Sequence, residues 1–371
     1  MDRSQEEIHE EVSPEFLPAE YVWQRAGLKM MATRSWIATM SLCSALAVSL
    51  AVLAQEAKPE KSRVRIGYSV QSTTFSIPFL AIEAGLFRSE GLEVEFIRTP
   101  GSLAPMVLVS QDVDFSIMSA FILIPASVRY KDPVILGGFS TRFTGTTLVS
   151  RPEIRDTKDL RGKIVGVQRP GDAVERNARF ALRHLGLNPD KDVKLLYFGS
   201  NEVLWSALET NRASAAILSP PRTVLARKMG MNFLLSIADL KIDYQGAALT
   251  SRRSFIKSYP NVTLRTVRAL VRGVHFFKTR REETIKILSK FFRTEDQEAL
   301  DELWTVYSEA IPVKPYASEA AVQAVINHLS ESDPRYAQHR PAEFMEPGIL
   351  SELDRSGYID RLYAAQELKT K

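Results

Sequence analysis

The residues best suited to bind something are hydroxyls, glycines and an arginine set in short turns. Ser72, Thr73 and Thr74 precede a helix that begins at Pro78; the run either caps that helix or bonds a ligand, and it is longer than one cap requires. Asp172 and Glu175 have the capping-box spacing, so Asp172 is expected to close its own helix, while Gly171 serves either a plain turn or the close approach of backbone to a ligand. Ser219-Pro220-Pro221 reads as a cap followed by helix-starting prolines, with Ser219 as cap or as ligand contact. Arg142, beside Phe143, carries a guanidinium that either pairs with a carboxylate, sulfonate or phosphate or is a solvated surface charge.

Groups for covalent or metal chemistry are missing from the sequence. It has no Walker-type Gly-rich Lys loop, no G-x-S-x-G elbow and no H-E-x-x-H, and His184, His275, His328 and His339 are scattered. The single cysteine, Cys43, lies in an apolar stretch, so no disulfide framework or Cys-ligated metal is expected. These absences favour binding over turnover, with no cofactor.

The start of the chain reads as processing signals. Residues 1–29 are acidic and aperiodic; Met30, Met31 and Arg34 then lead into an uncharged stretch, 36–54, with Val52 and Ala54 at the small-residue positions of a cleavage site before Gln55. Residues 30–54 therefore read as a secretory signal peptide and 1–29 as a non-native upstream extension, with a cytoplasmic tail before a membrane anchor as the alternative. Met40-Ser-Leu before Cys43 does not suit lipid attachment. The 371 residues hold 48 Lys/Arg and 44 Asp/Glu, a net +4; beyond residue 54 the balance is 44 against 37, a net +7. The excess forms no basic run, which argues against nucleic acid and is compatible with an anionic ligand.

The candidate turns need elements to hold them, and a repeat at an offset of about 100 residues supplies these. Arg63-Val-Arg-Ile-Gly-Tyr echoes Lys163-Ile-Val-Gly-Val-Gln, followed by helices at 76–87 and 172–185. Second strands at 92–97 and 193–198 run through Gly101-Ser102 and Gly199-Ser200 into helices 103–110 and 203–210. Third strands begin at Val113 and Ala213, so each half reads β-α-β-α-β, and such alternation predicts two lobes with mainly parallel sheets and right-handed crossovers. After Tyr244 a short strand precedes helices at 262–278, 283–292, 297–309, 319–329 and 347–356, which need the first lobe to pack on. Ligands of such sheets sit beyond the carboxyl ends of the strands. The turns there are Gln71-Ser-Thr-Thr-Phe75, Thr99-Pro-Gly-Ser102, Ser119-Ala-Phe, Arg169-Pro-Gly-Asp172, Gly199-Ser-Asn and Ser219-Pro-Pro-Arg.

Pro78-Phe-Leu-Ala-Ile-Glu-Ala-Gly-Leu-Phe-Arg-Ser-Glu-Gly-Leu-Glu-Val-Glu resembles the nitrate, sulfonate, taurine and thiamine-pyrimidine-precursor substrate-binding proteins of ABC transporters. Gln111-Asp-Val-Asp-Phe, Asp159-Leu-Arg-Gly-Lys-Ile-Val-Gly-Val, Ala207-Leu-Glu-Thr-Asn and Gly357-Tyr-Ile-Asp-Arg-Leu-Tyr extend the likeness over residues 62–363. The resemblance implies an α/β type II periplasmic-binding fold, with one lobe from 62–146 and 248–371, the other from 147–247, and crossovers near 147–150 and 246–250. It implies a monomeric periplasmic protein that closes on a small polar or anionic molecule and delivers it to an inner-membrane permease with its ATPase. By position it carries over Gln71, Ser72, Thr73, Gly101, Ser102, Ser119, Gly171, Asp172 and Ser219; Thr74, Phe75 and Arg142 complete the candidate set. A pyrimidine-precursor enzyme on the same fold and a tethered ligand sensor are the other readings.

Overall fold

Val64 and Ile66 alternate with Arg63 and Arg65, so the first strand of the fold sends apolar side chains to one face and charge to the other. The computed structural model describes residues 58–143 and 146–367; the expected leader 30–54 with Cys43, the segment 1–29 and residues 368–371 lie outside the described residues. Along the chain the strands are β1 (Arg63–Tyr68), β2 (Glu93–Arg98), β3 (Phe115–Met118), β4 (Pro133–Gly138) and β5 (Thr147–Ser150). They continue as β6 (Ile164–Val167), β7 (Lys194–Tyr197), β8 (Ala215–Leu218), β9 (Asn232–Ser236) and β10 (Ala248–Arg252).

These strands form two five-stranded sheets of one topology, β2-β1-β3-β10-β4 and β7-β6-β8-β5-β9. The repeat is visible in the register: Gly67 lies opposite Ser116 in the first sheet, as Gly166 lies opposite Ala216 in the second. The strands of each repeat pair in parallel, while β10 and β5, each entering from the other half, run antiparallel to both of their neighbours. The fold is thus two mixed α/β sheets flanked by helices and connected twice. Where the connections run side by side, Arg142 and Asp243 form an isolated antiparallel bridge.

Helices cover both faces of the first sheet. On one face Ile77–Glu83 packs against the long helix Pro260–Thr279, whose Val267, Leu270, Val271, Val274 and Phe277 are buried. Burial of each such side chain contributes roughly 1.5–3 kcal/mol, so packing rather than propensity holds this helix. On the other face Ala120–Tyr130 and Glu319–Ser332 enclose Leu123, Val322 and Ile326. The second sheet has its own core around Leu148, Val165, Leu182, Leu204 and Ile217.

Local chemistry moves several boundaries away from the expected ones. The helix expected at 76–87 is two pieces, Ile77–Glu83 and Leu86–Ser89, because Gly85 takes φ +70° and ends the first. Strands β4 and β9 and the helix Tyr358–Glu367 add to the elements read from the sequence. Beside β4, a β-carbon on Gly137 would stand 2.8 Å from the Pro315 carbonyl, so only glycine lets segment 314–317 lie this close.

Candidate functional site

A cleft of about 1090 Å³ lies between the carboxyl ends of the two sheets, with residues of both lining it. From the first sheet's turns come Gln71, Ser72, Thr74, Phe75 and Ser119; from the second comes Ser219; Arg142 stands at the paired connections. Two observations explain why the hydroxyls are available. Ser72 and Ser119 occupy N-cap positions without forming a side-chain cap bond, and the nearby Ser76 hydroxyl is turned away, donating to the Thr73 carbonyl at 2.7 Å.

The remaining sequence candidates lie elsewhere. Thr73 is fully buried, does not line the cleft, and its hydroxyl finds no partner among the described residues. Gly101 and Asp172 line a neighbouring recess of about 320 Å³, which Ser119 shares. Ser102 and Gly171 are exposed and line neither space. Asp172 caps Ala173–His184, accepting from the Glu175 amide at 2.9 Å and the Arg169 amide at 3.0 Å. Glu175 returns the favour one residue early, accepting from the Gly171 amide at 2.6 Å. Burial raises the Asp172 carboxyl above its ordinary value, and these amides and Arg176 offset part of that shift.

Gln71 donates its amide nitrogen to the Phe291 carbonyl at 2.7 Å. That bond ties the end of Arg281–Phe292 to the rim of the cleft. Arg142 is more than half exposed and sits 3.5 Å from the Asp243 carboxylate, tying the two connections together. Ser219 is hydrogen-bonded to Tyr307, whose hydroxyl burial pushes well above its usual value. That bond crosses the cleft, because Tyr307 belongs to the first sheet's core and Ser219 follows β8.

Turn positions alone did not reveal the charges of the site. Arg98, Arg222, Lys290 and Arg293 join Arg142 on the lining, and Glu202 is the one carboxylate there among the described residues. Burial opposes ionisation of Glu202, yet the Ser200 hydroxyl and the fields of Arg98 and Arg222 hold its carboxyl below the ordinary value. Burial likewise lowers Arg222 from its usual value without removing its charge at neutral pH. Lys290 is matched by Glu83 at 2.8 Å, whereas Arg98, Arg222 and Arg293 have no ion pair among the described residues. The arrangement concentrates positive potential where an anion would sit.

Contacts across the cleft hold the two sheets near each other. Arg227 meets Glu302 at 2.8 Å, and Lys228 meets Asp296 at 2.8 Å and Glu298 at 2.9 Å. Arg176 lies 4.1 Å over the Phe121 ring, and a β-carbon on Gly101 would stand 3.8 Å from that of Asp172. Among the described residues no cluster of His, Cys, Asp or Glu suits a metal ion, and no helix is long and apolar enough to cross a membrane.

Residues 72–284 match the family described as NMT1/THI5 like. A protein of Brucella abortus named as a binding protein is 26% identical over 257 residues, covering 68% of this chain and 78% of the relative. Among solved structures, a Bordetella bronchiseptica protein is similar with a TM-score of 0.70 at 18% identity, covering 81% of this chain and 99% of that one. The alkanesulfonate-binding protein SsuA of Xanthomonas axonopodis pv. citri, bound to MOPS, is similar with a TM-score of 0.59 at 17% identity, covering 79% of this chain and 98% of that one. The matched stretch covers more than half of the chain, including Ser72, Thr74, Ser119 and Ser219 of the cleft, and the chain belongs to the NMT1/THI5-like family.

Proposed function

We propose that this protein is the solute-binding component of an ABC importer, capturing a small anionic organic molecule between lobes formed by 62–146 with 248–371 and by 147–247. The observation that carries the reading is a cleft, lined by both sheets, that sets five basic side chains against one acidic one. A ligand that touches both lobes favours their approach, and the contacts that already cross the cleft suit a molecule whose closed form a permease distinguishes. The binding-protein relative and the sulfonate-binding neighbour support the same role. Location in the periplasm follows from it, as does partnership with an inner-membrane permease and its ATPase. The protein acts on its ligand by holding it, without turnover.

Native mass spectrometry of freshly purified protein, followed by X-ray scattering with and without the released molecule, tests this. The expected outcome is a bound small anion, recovered unchanged, that contracts the protein when added back and raises its melting temperature by mass action. Conversion of that molecule into product, or binding with no change in dimensions and no thermal shift, overturns the proposal.

A further inference from the structure

The cleft is aromatic as well as cationic, and its rings are organised. Tyr68 stacks on Phe96 with centroids 4.2 Å apart and planes 12° from parallel. Phe291 lies 5.9 Å from Tyr68 and 5.3 Å from Phe79, which itself lies 6.4 Å from Phe96. These four make one continuous wall. At the paired connections Phe143 and Tyr244 form a second shelf, stacked at 4.3 Å and 11°. All six rings line the same space. The Tyr244 hydroxyl is shut off from solvent without a hydrogen-bond partner among the described residues.

A small hydrated oxyanion has little use for such a surface. At about 1090 Å³ the cleft lies just above the roughly 300–1,000 Å³ range of sites that enclose drug-sized organic molecules. Aromatic walls favour ligands with a π face, through offset stacking and edge contacts.

The charge is placed beside the rings. Arg222 is half-buried, its guanidinium lies 5.4 Å over the Trp205 ring, and that guanidinium has no hydrogen bond or ion pair to another described residue. Arg98, Arg222 and Arg293 line the same space as Tyr68, Phe79, Phe96 and Phe291, so a ligand lying in it meets both the arginines and the aromatic wall. A desolvated guanidinium without a partner gains most from a carboxylate or sulfonate that enters with the ligand.

We infer that the cleft selects an aromatic ring bearing a carboxylate or sulfonate, the ring lying against Tyr68, Phe79, Phe96 and Phe291 and the oxyanion pairing with Arg222. The inference rests on the binding reading above and narrows it to a ligand class.

Calorimetric titration of the purified protein with four probes tests it: naphthalene-2-sulfonate, 2-naphthoate, the ring-free anion ethanesulfonate and the uncharged naphthalene-2-sulfonamide. At least one aromatic anion is expected to bind about tenfold or more tighter than both ethanesulfonate and the sulfonamide. R222Q should abolish the preference for the charged ring over the uncharged one. F79L should abolish the preference for the ring over ethanesulfonate, with melting curves checking that each variant is folded. Equal affinity for ethanesulfonate, or for the sulfonamide, overturns the inference and leaves solute binding standing. So does silence of all four probes when native mass spectrometry releases a non-aromatic molecule. Silence of the probes with no bound molecule in the native protein overturns both.

Discussion

Glu202 is the residue whose removal should strengthen binding. It is the one carboxylate lining a cleft with five basic groups, and it draws on the fields of Arg98 and Arg222. E202Q should remove the negative charge that opposes an incoming anion and raise anion affinity about threefold to tenfold, read by calorimetry. The sign with pH follows from its lowered carboxyl. Its contribution to folding is present above its unfolded value and is lost as the pH falls through the folded one, so acid weakens the fold while neutralising a charge that repels the ligand. Wild-type anion affinity should therefore stay flat across neutral pH and rise only below the ordinary carboxylate range, and E202Q should lack that rise. Sequence patterns put Ser72, Thr74, Ser119 and Ser219 at strand ends, and all four line the cleft. Arg142 also lines it, whereas Arg98, Lys290, Arg293 and the aromatic wall were not legible. They combine 68–98 with 290–293, and no local period links residues so far apart in sequence.

At the level of elements, glycines decide how closely segments approach. On Gly137 a β-carbon would come 2.8 Å from the Pro315 carbonyl, a backbone atom that already accepts from the Gly138 amide at 2.8 Å and so has no room to retreat. G137A should lower stability by about 1–3 kcal/mol in denaturant unfolding. On Gly101 the same atom would stand 3.8 Å from the β-carbon of Asp172, an ordinary contact, and G101A should unfold as wild type does. The repeat made the three-strand core of each half readable, and the crossover positions expected near 147–150 and 246–250 coincide with β5 and β10. Strands β4 and β9 escaped because each is a short apolar run directly after a helix, where periodicity does not separate strand from helix. Asp172 closes its own helix as its capping-box spacing implied: the carboxylate accepts from the Glu175 and Arg169 amides, and the Gly171 amide donates to Glu175.

Across the whole molecule, the ion pairs joining Arg222–Lys228 to Gln297–Ala310 bias the two lobes toward each other. Each is substantially exposed and individually weak, but Lys228 bonds two carboxylates at once. K228E should repel Asp296 and Glu298 and speed ligand release about threefold in stopped-flow measurements, with the melting temperature of the ligand-free protein unchanged. Raising the salt should mimic part of that effect in the wild type. The sheet order carries one further consequence, for the time during which the chain is still being made. The second sheet needs nothing after Ser236, whereas β3 and β4 are separated by β10, which ends at Arg252. On the ribosome the middle of the protein therefore finishes first, while the strands that precede it wait with a gap between them. Such unmatched edges invite wrong partners, so the interval before Arg252 emerges is when a nascent chain of this design most needs protection.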